Sequence, residues 1–162
     1  MTYIIRICYN LLAMTTTIKK SKTITELKNC LADTYTLLLK THNYHWNVTG
    51  PNFFSLHTLF EGQYNELFLA VDELAERIRA LGEKAPGSFS EFSNLSTLVE
   101  ADNSLDANGM IKDLSNSNEL VIETLIKLRD TADAEEDSET EDIAIARIKV
   151  HQKNAWMLKS SK

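Results

Sequence analysis

Apolar residues recur every three or four positions through four long stretches of the chain, the period of a helix with one buried face. The first stretch places Leu27, Leu31, Tyr35, Leu38 and His42 at helical spacing and meets no Gly or Pro until Gly50. Thr23-x-x-Glu26 has the form of a capping box, so a helix is predicted from about Thr25 to about Asn47. Gly50-Pro51-Asn52 breaks the chain, and Phe53, Leu56, Phe60, Tyr64, Leu67, Val71, Leu74 and Ile78 predict a longer helix to Leu81, stopped by Gly82. A third helix is predicted from about Leu105 to Arg129 around Leu114, Val121, Leu125 and Leu128. Ser138-x-x-Glu141 predicts the cap of a fourth, running through Ile143, Val150 and Trp156. No stretch alternates as a strand would. The pattern is that of an all-α four-helix bundle, and the long connection between helices two and three implies one crossover. Ser88-x-x-Glu91 predicts a short extra helix within it.

Composition narrows the picture. With 162 residues, one domain is expected. Only 5 Gly and 2 Pro leave few turns, which agrees with long helices. The domain is placed at residues 23–162, after an N-terminal tail at 1–22 that is expected to be disordered. The first 13 residues are apolar but interrupted by Arg6 and Asn10, a poor secretory signal, and Met14 opens a polar stretch suited to a true start. Cys8 and Cys30 make neither a disulfide framework nor a thiolate metal site, so a reducing cytoplasm is expected. No window approaches the ~18 apolar residues of a membrane span. A net charge of −6 argues against a surface that is wholly a nucleic-acid clamp and for cations as ligands.

The second helix carries the candidate chemistry. His57 and Glu61 stand one turn apart, as do Asp72 and Glu76, so each pair can share an ion. All four fall within an arc roughly 100° wide on a helical wheel. Carboxylates on a long helix are ordinarily a solvated face, but two pairs on one face, one of them with an imidazole, are not ordinary. The step from His57 to Asp72 covers roughly 22 Å of helix, too far for one metal centre. An antiparallel second copy would bring His57 and Glu61 against the other chain's Asp72 and Glu76. Mixed imidazole and carboxylate ligation suits iron, manganese or zinc, and His45 at the end of the first helix is placed to add another nitrogen.

The run His45-Trp46-Asn47-Val48-Thr49-Gly50-Pro51-Asn52-Phe53-Phe54-Ser55-Leu56-His57-Thr58-Leu59-Phe60-Glu61, followed by Asp72-Glu73-Leu74-Ala75-Glu76-Arg77, resembles the Dps family, the miniferritins named as DNA-binding proteins from starved cells. The resemblance spans about Thr23 to Leu158. It implies a ferritin-like subunit, a hollow dodecamer of identical chains, and ferroxidase centres shared across each dyad. Carried onto this chain, His45, His57 and Glu61 are implied as catalytic iron ligands from one subunit, with Asp72 and Glu76 from its partner. Family members often have Asp where Glu61 stands, a longer arm with the same ligand chemistry. Trp46 looks like the family's tryptophan near the iron centre, with radical quenching and interface packing as its two readings.

The same resemblance implies an oxidoreductase that acts on metal ions. Fe(II) would be oxidised, preferably by hydrogen peroxide and otherwise by oxygen, and stored as Fe(III) mineral, which protects against oxidative stress. Zinc and manganese are the competing metals. The acidic stretch Asp130–Asp142 matches the family's pore-lining region, with Asp133, Asp137 and Asp142 as pore candidates and Ser138 at a position acidic in relatives. Lys19, Lys20 and Lys22 make a small basic arm of the kind that binds DNA phosphates in some relatives, so DNA and a nucleoid location are secondary expectations. A di-iron centre inside one bundle would need Glu-x-x-His motifs, and none of His42, His45, His57 and His151 has Glu three residues before it. The competing reading is a Dps-fold nucleoid or structural protein without ferroxidase activity.

Overall fold

The structure, a computed structural model, is described for residues 2–161, with side chains for residues 22–161. Its elements are α1 (Thr2–Asn47), α2 (Phe53–Ala80), α3 (Phe89–Leu95), α4 (Ala107–Ala134) and α5 (Ser138–Lys159). Of the expected N-terminal tail, the side chains of residues 1–21, with Met14, Lys19 and Lys20, lie outside the described residues. The four long helices and the short α3 match the expected all-α ferritin-like architecture. Leu27, Leu31, Phe60, Leu67, Leu74, Leu114, Val121, Leu125 and Leu158 are almost wholly withdrawn from water in the core. Burial of such side chains contributes roughly 1.5–3 kcal/mol each.

Side-chain bonds between helices give the topology. Thr124 donates to Asp33 and Tyr44 to Asp113, so α4 runs antiparallel to α1. Arg77 reaches Asp137 and Arg147 reaches Glu66, so α5 runs antiparallel to α2. The connection from Leu81 to Asp106, with α3 in it, must therefore travel the length of the bundle.

Several helix ends fall where local signals put them. Gly82 (φ 92°) follows α2, and its N–H and that of Glu83 bond back to the Arg79 and Ile78 carbonyls, which closes the helix. Ser88 and Glu91 form the expected capping box at α3. Two capping expectations are corrected. Thr23 is not an N-cap; its N–H and hydroxyl donate to the distant Glu135 carboxylate at 3.1 and 2.6 Å, while the Glu26 carboxylate accepts from Asn29. The fourth helix is capped by Asp137, whose carboxylate accepts from the Thr140 N–H, and Ser138 is already helical. Aspartate, one position earlier, accepts the Thr140 N–H in place of the Glu141 N–H that a Ser138 cap would have taken.

The third long helix also overruns its expected end at Arg129 and takes in the first acidic residues to Ala134. Ala132 is buried, which favours continuation, and the helix stops where Glu136 adopts φ 56°. The Asp137 N–H then bonds to the Ala132 carbonyl at 2.9 Å.

Buried polar residues tie the helices together. Asp33, fully buried on α1, accepts from Ser96, from the N–H and hydroxyl of Thr97, and from Thr124 at 2.6–3.0 Å. Lys40 is 3% exposed and sits 3.1 Å from Asp113 and from Ser117. His151 holds the Asn118 amide oxygen at 2.8 Å through Nδ1 and faces Arg147.

Two stability outcomes follow. Asp33→Ala strands several buried donors and is expected to cost roughly 3 kcal/mol or more, read as a lower urea midpoint at fixed protein concentration. Burial first, and the Arg147 charge second, lower the His151 pKa from 6.5 to about 3. The folded state thus refuses a proton that the unfolded chain accepts below pH 6.5, and stability drops as pH falls from there toward 3. His151→Leu should remove that part of the slope, about tenfold in the unfolding equilibrium per pH unit.

Candidate metal centre

The turn between α1 and α2 sets the site. Gly50, with φ 108°, allows the reversal before Pro51 that only glycine adopts without strain. It returns the chain so that His57, in the second turn of α2, lies against His45 in the last turn of α1. Their rings stack with centroids 3.7 Å apart and planes 21° from parallel.

Each ring is held by the other residue's backbone. His57 Nδ1 lies 2.8 Å from the His45 carbonyl, and His45 Nδ1 lies 2.9 Å from the His57 carbonyl. A carbonyl oxygen can only accept, so each Nδ1 carries the proton and donates it. Both Nε2 atoms are left with a lone pair, the form in which imidazole binds a metal. The His45 carbonyl suits this role because the last turn of a helix leaves such groups unpaired.

Glu61 is exposed one turn beyond His57, and Asp72 and Glu76 are exposed farther along α2. None of these three carboxylates has a hydrogen bond or ion pair among the described residues. Most other acids that face the bundle are committed: Asp33 to the crossover, Asp113 to Lys40 and Tyr44, Glu66 to Arg147, Asp137 to Arg77 at 2.5 Å. Asp72 and Glu76 line a surface depression of about 560 Å³ with Glu73, Arg77 and Arg147. Within one chain, among the described residues, no three His, Cys, Asp or Glu side chains converge on a point. His45, His57 and Glu61 gather at one end of α2, and Asp72 and Glu76 at the other.

The pore candidates divide. Asp133, in the last turn of α4, and Asp142, in α5, are exposed with no side-chain partner among the described residues, whereas Asp137 caps α5 and holds Arg77.

Sequence reasoning did not find the part played by Tyr64. It stands seven residues after His57 on the same helix face, a position that reads simply as core. Its ring meets His45 edge-on at 5.1 Å and stacks on His42 at 4.3 Å. Trp46, 60% exposed, lies against His42 at 4.0 Å.

Comparison with known proteins places these features in company. The ferritin-like domain family matches residues 24–161. The chain is 36% identical to DNA protection during starvation protein 2 of Bacillus anthracis over 83% of its own length and 92% of that protein's. Its fold is similar to Dps from Staphylococcus aureus (TM-score 0.83, 38% identity, 85% of this chain and 93% of that one). It is also similar to a Dps protein from Vibrio cholerae O1, described as a member of a broad superfamily of ferritin-like diiron-carboxylate proteins (TM-score 0.85, 30% identity, 89% and 91%). Among the described residues no helix is long and apolar enough to cross a membrane.

The hydrogen-bond pattern has a direct spectroscopic consequence. In metal-free protein, long-range ¹⁵N correlation should find both His45 and His57 as the Nδ1–H tautomer.

Proposed function

Because this chain belongs to the Dps family of ferritin-like proteins, we propose that it is a cytoplasmic miniferritin that oxidises Fe(II) at sites shared by two subunits. It stores the Fe(III) as mineral within a dodecameric cage. The observation that carries this reading is the division of α2. Among the described residues, two imidazoles with free Nε2 atoms and an unpaired Glu61 occupy one end, two unpaired carboxylates occupy the other, and no three such side chains of one chain converge.

In the shared site His45, His57 and Glu61 face Asp72 and Glu76 of the partner subunit. The donor set fits iron: imidazole nitrogen binds Fe(II), and three anionic carboxylates stabilise the higher charge of Fe(III). That preference makes the bound ion a better reductant. Two Fe(II) ions give one electron each to hydrogen peroxide, whose O–O bond breaks and which leaves, with two protons, as two waters. No hydroxyl radical is released on this route, so peroxide and free Fe(II) are removed together. Zinc and manganese suit the same donors and would compete as inhibitors. Asp133 and Asp142, exposed and without a side-chain partner among the described residues, are the pore candidates through which Fe(II) reaches the interior.

The test is anaerobic loading with Fe(II), then hydrogen peroxide, with ferric absorbance followed in the wild type and in Asp72→Ala. Fast oxidation that falls by about tenfold or more in the variant is the expected result. Equal, slow oxidation in both proteins would give way to a structural or DNA-binding role for the fold.

A further inference from the structure

A polar cluster that the proposed function does not use lies inside the bundle, between α2, α4 and α5. Arg147 is 5% exposed, and both ends of its guanidinium meet the Glu66 carboxylate, Nη2 at 3.0 Å from Oε2. The same Nη2 lies 3.3 Å from Nε2 of the fully buried His151. The other nitrogen of that ring, Nδ1, faces the Asn118 amide oxygen at 2.8 Å, while the Asn118 amide nitrogen donates to the Leu114 carbonyl. An amide oxygen only accepts, so Nδ1 carries the proton and Nε2 presents a lone pair. His151 thus has the tautomer that ligates metal, with its second nitrogen already braced, yet a guanidinium N–H takes the lone pair. Gln63 stands one turn before Glu66 on α2, is 5% exposed, and has an amide nitrogen without an acceptor among the described residues. When that amide turns over, its oxygen takes the same place. Glu66 and Arg147 also line the depression of about 560 Å³ that holds Asp72 and Glu76. An ion that arrives at those two carboxylates arrives beside this cluster.

Carboxylate, imidazole and amide groups from facing helices are donors from which helix bundles build metal sites in their cores. Here the place between Glu66 and His151 is filled by a fixed positive charge. We propose that Arg147 is the resident cation of the bundle interior, and that it directs iron to the shared site by denying it this second one. A divalent ion beside the guanidinium would meet a like charge where water screens little, with the carboxylate and the lone pair already engaged. Arginine does not give up its proton in proteins, so the exclusion holds at every pH at which the chain is folded. The benefit for iron chemistry rests on the ferroxidase reading, whereas the exclusion itself does not. A lone Fe(II) held in the bundle would give peroxide a single electron. The O–O bond would break to hydroxide and a hydroxyl radical, leaving Fe(III), with the radical released inside the core.

The test reads metal binding and needs no turnover. Assembled protein is dialysed to equilibrium against Co(II), and bound metal per chain and the visible absorption of the ion are measured. Arg147→Ala is expected to bind one Co(II) per chain more than the wild type, and Arg147→Lys, which restores a cation, no more than the wild type. His151→Leu added to Arg147→Ala should remove the extra ion, which ties it to this imidazole. Arg147→Met, which keeps the buried stem without the charge, stands in if the alanine variant does not assemble. Wild-type metal content in the assembled alanine or methionine variant would overturn the proposal. So would an extra ion that survives His151→Leu or appears equally in Arg147→Lys.

A second arm uses the wild type alone. Crystals soaked with zinc are expected to show anomalous density at His45 and His57 and none between Glu66 and His151. Density between Glu66 and His151 would overturn the proposal directly. Absence of zinc from His45 and His57 would count against the shared-site reading instead, and the Arg147 variants would then decide the exclusion alone.

Discussion

A connection that must travel the full length of a helical bundle has no hydrogen-bond ladder of its own, and something has to fasten it. Asp33 does so. Its carboxylate lies at the centre of the molecule, yet all its bonds go to groups that would otherwise drift: two residues just beyond α3 and one side chain on α4. A buried carboxylate is tolerable only when its charge is met by donors, so the segment after α3 and helix α4 have to approach α1 at that level. Once they do, the register of α1 against α4 is set, and Tyr44 and Lys40 meet Asp113 farther up.

That register positions the C-terminal end of α1, which carries the proposed ligand His45. His45 follows Tyr44 directly, and Tyr44 is locked by Asp113 and by the Asp102 N–H from the crossover. The imidazole is therefore carried on a turn that is fixed by the core and by the connection. On the opposite side Arg77, next to Glu76, is held by Asp137 and Thr140 of α5. The end of α1 and the far end of α2 are thus anchored through residues adjacent to the proposed ligands, while the ligands themselves carry no structural duty beyond the histidine pair.

The helices and most of their ends were legible because they depend on local facts: a 3.6-residue period, a glycine able to take positive φ at position 82, a serine and glutamate three residues apart at 88 and 91. The errors came where a local pattern had a competitor. Ser138 was displaced by the aspartate just before it, and Thr23 found a partner at Glu135, distant in sequence. Asp33 and His151 were invisible as anchors, since a paired polar residue in the core has the same spelling as one on the surface. The two proposed ligand pairs on α2 stand out by their spacing alone. The exchange of bonds between His45 and His57 could not, because it exists only after the hairpin has closed, and the file of rings through Tyr64 has the same origin.

The bond exchange gives the site an independence from its cargo. Each imidazole is aimed by a carbonyl of the opposite helix, so the two nitrogen donors hold their positions whether or not an ion is present. An arriving ion need not organise them, and a departing one leaves no collapsed pocket to be rebuilt. Under the proposed function, turnover then asks almost nothing of the protein: metal passes while the two imidazoles stay where the hairpin holds them.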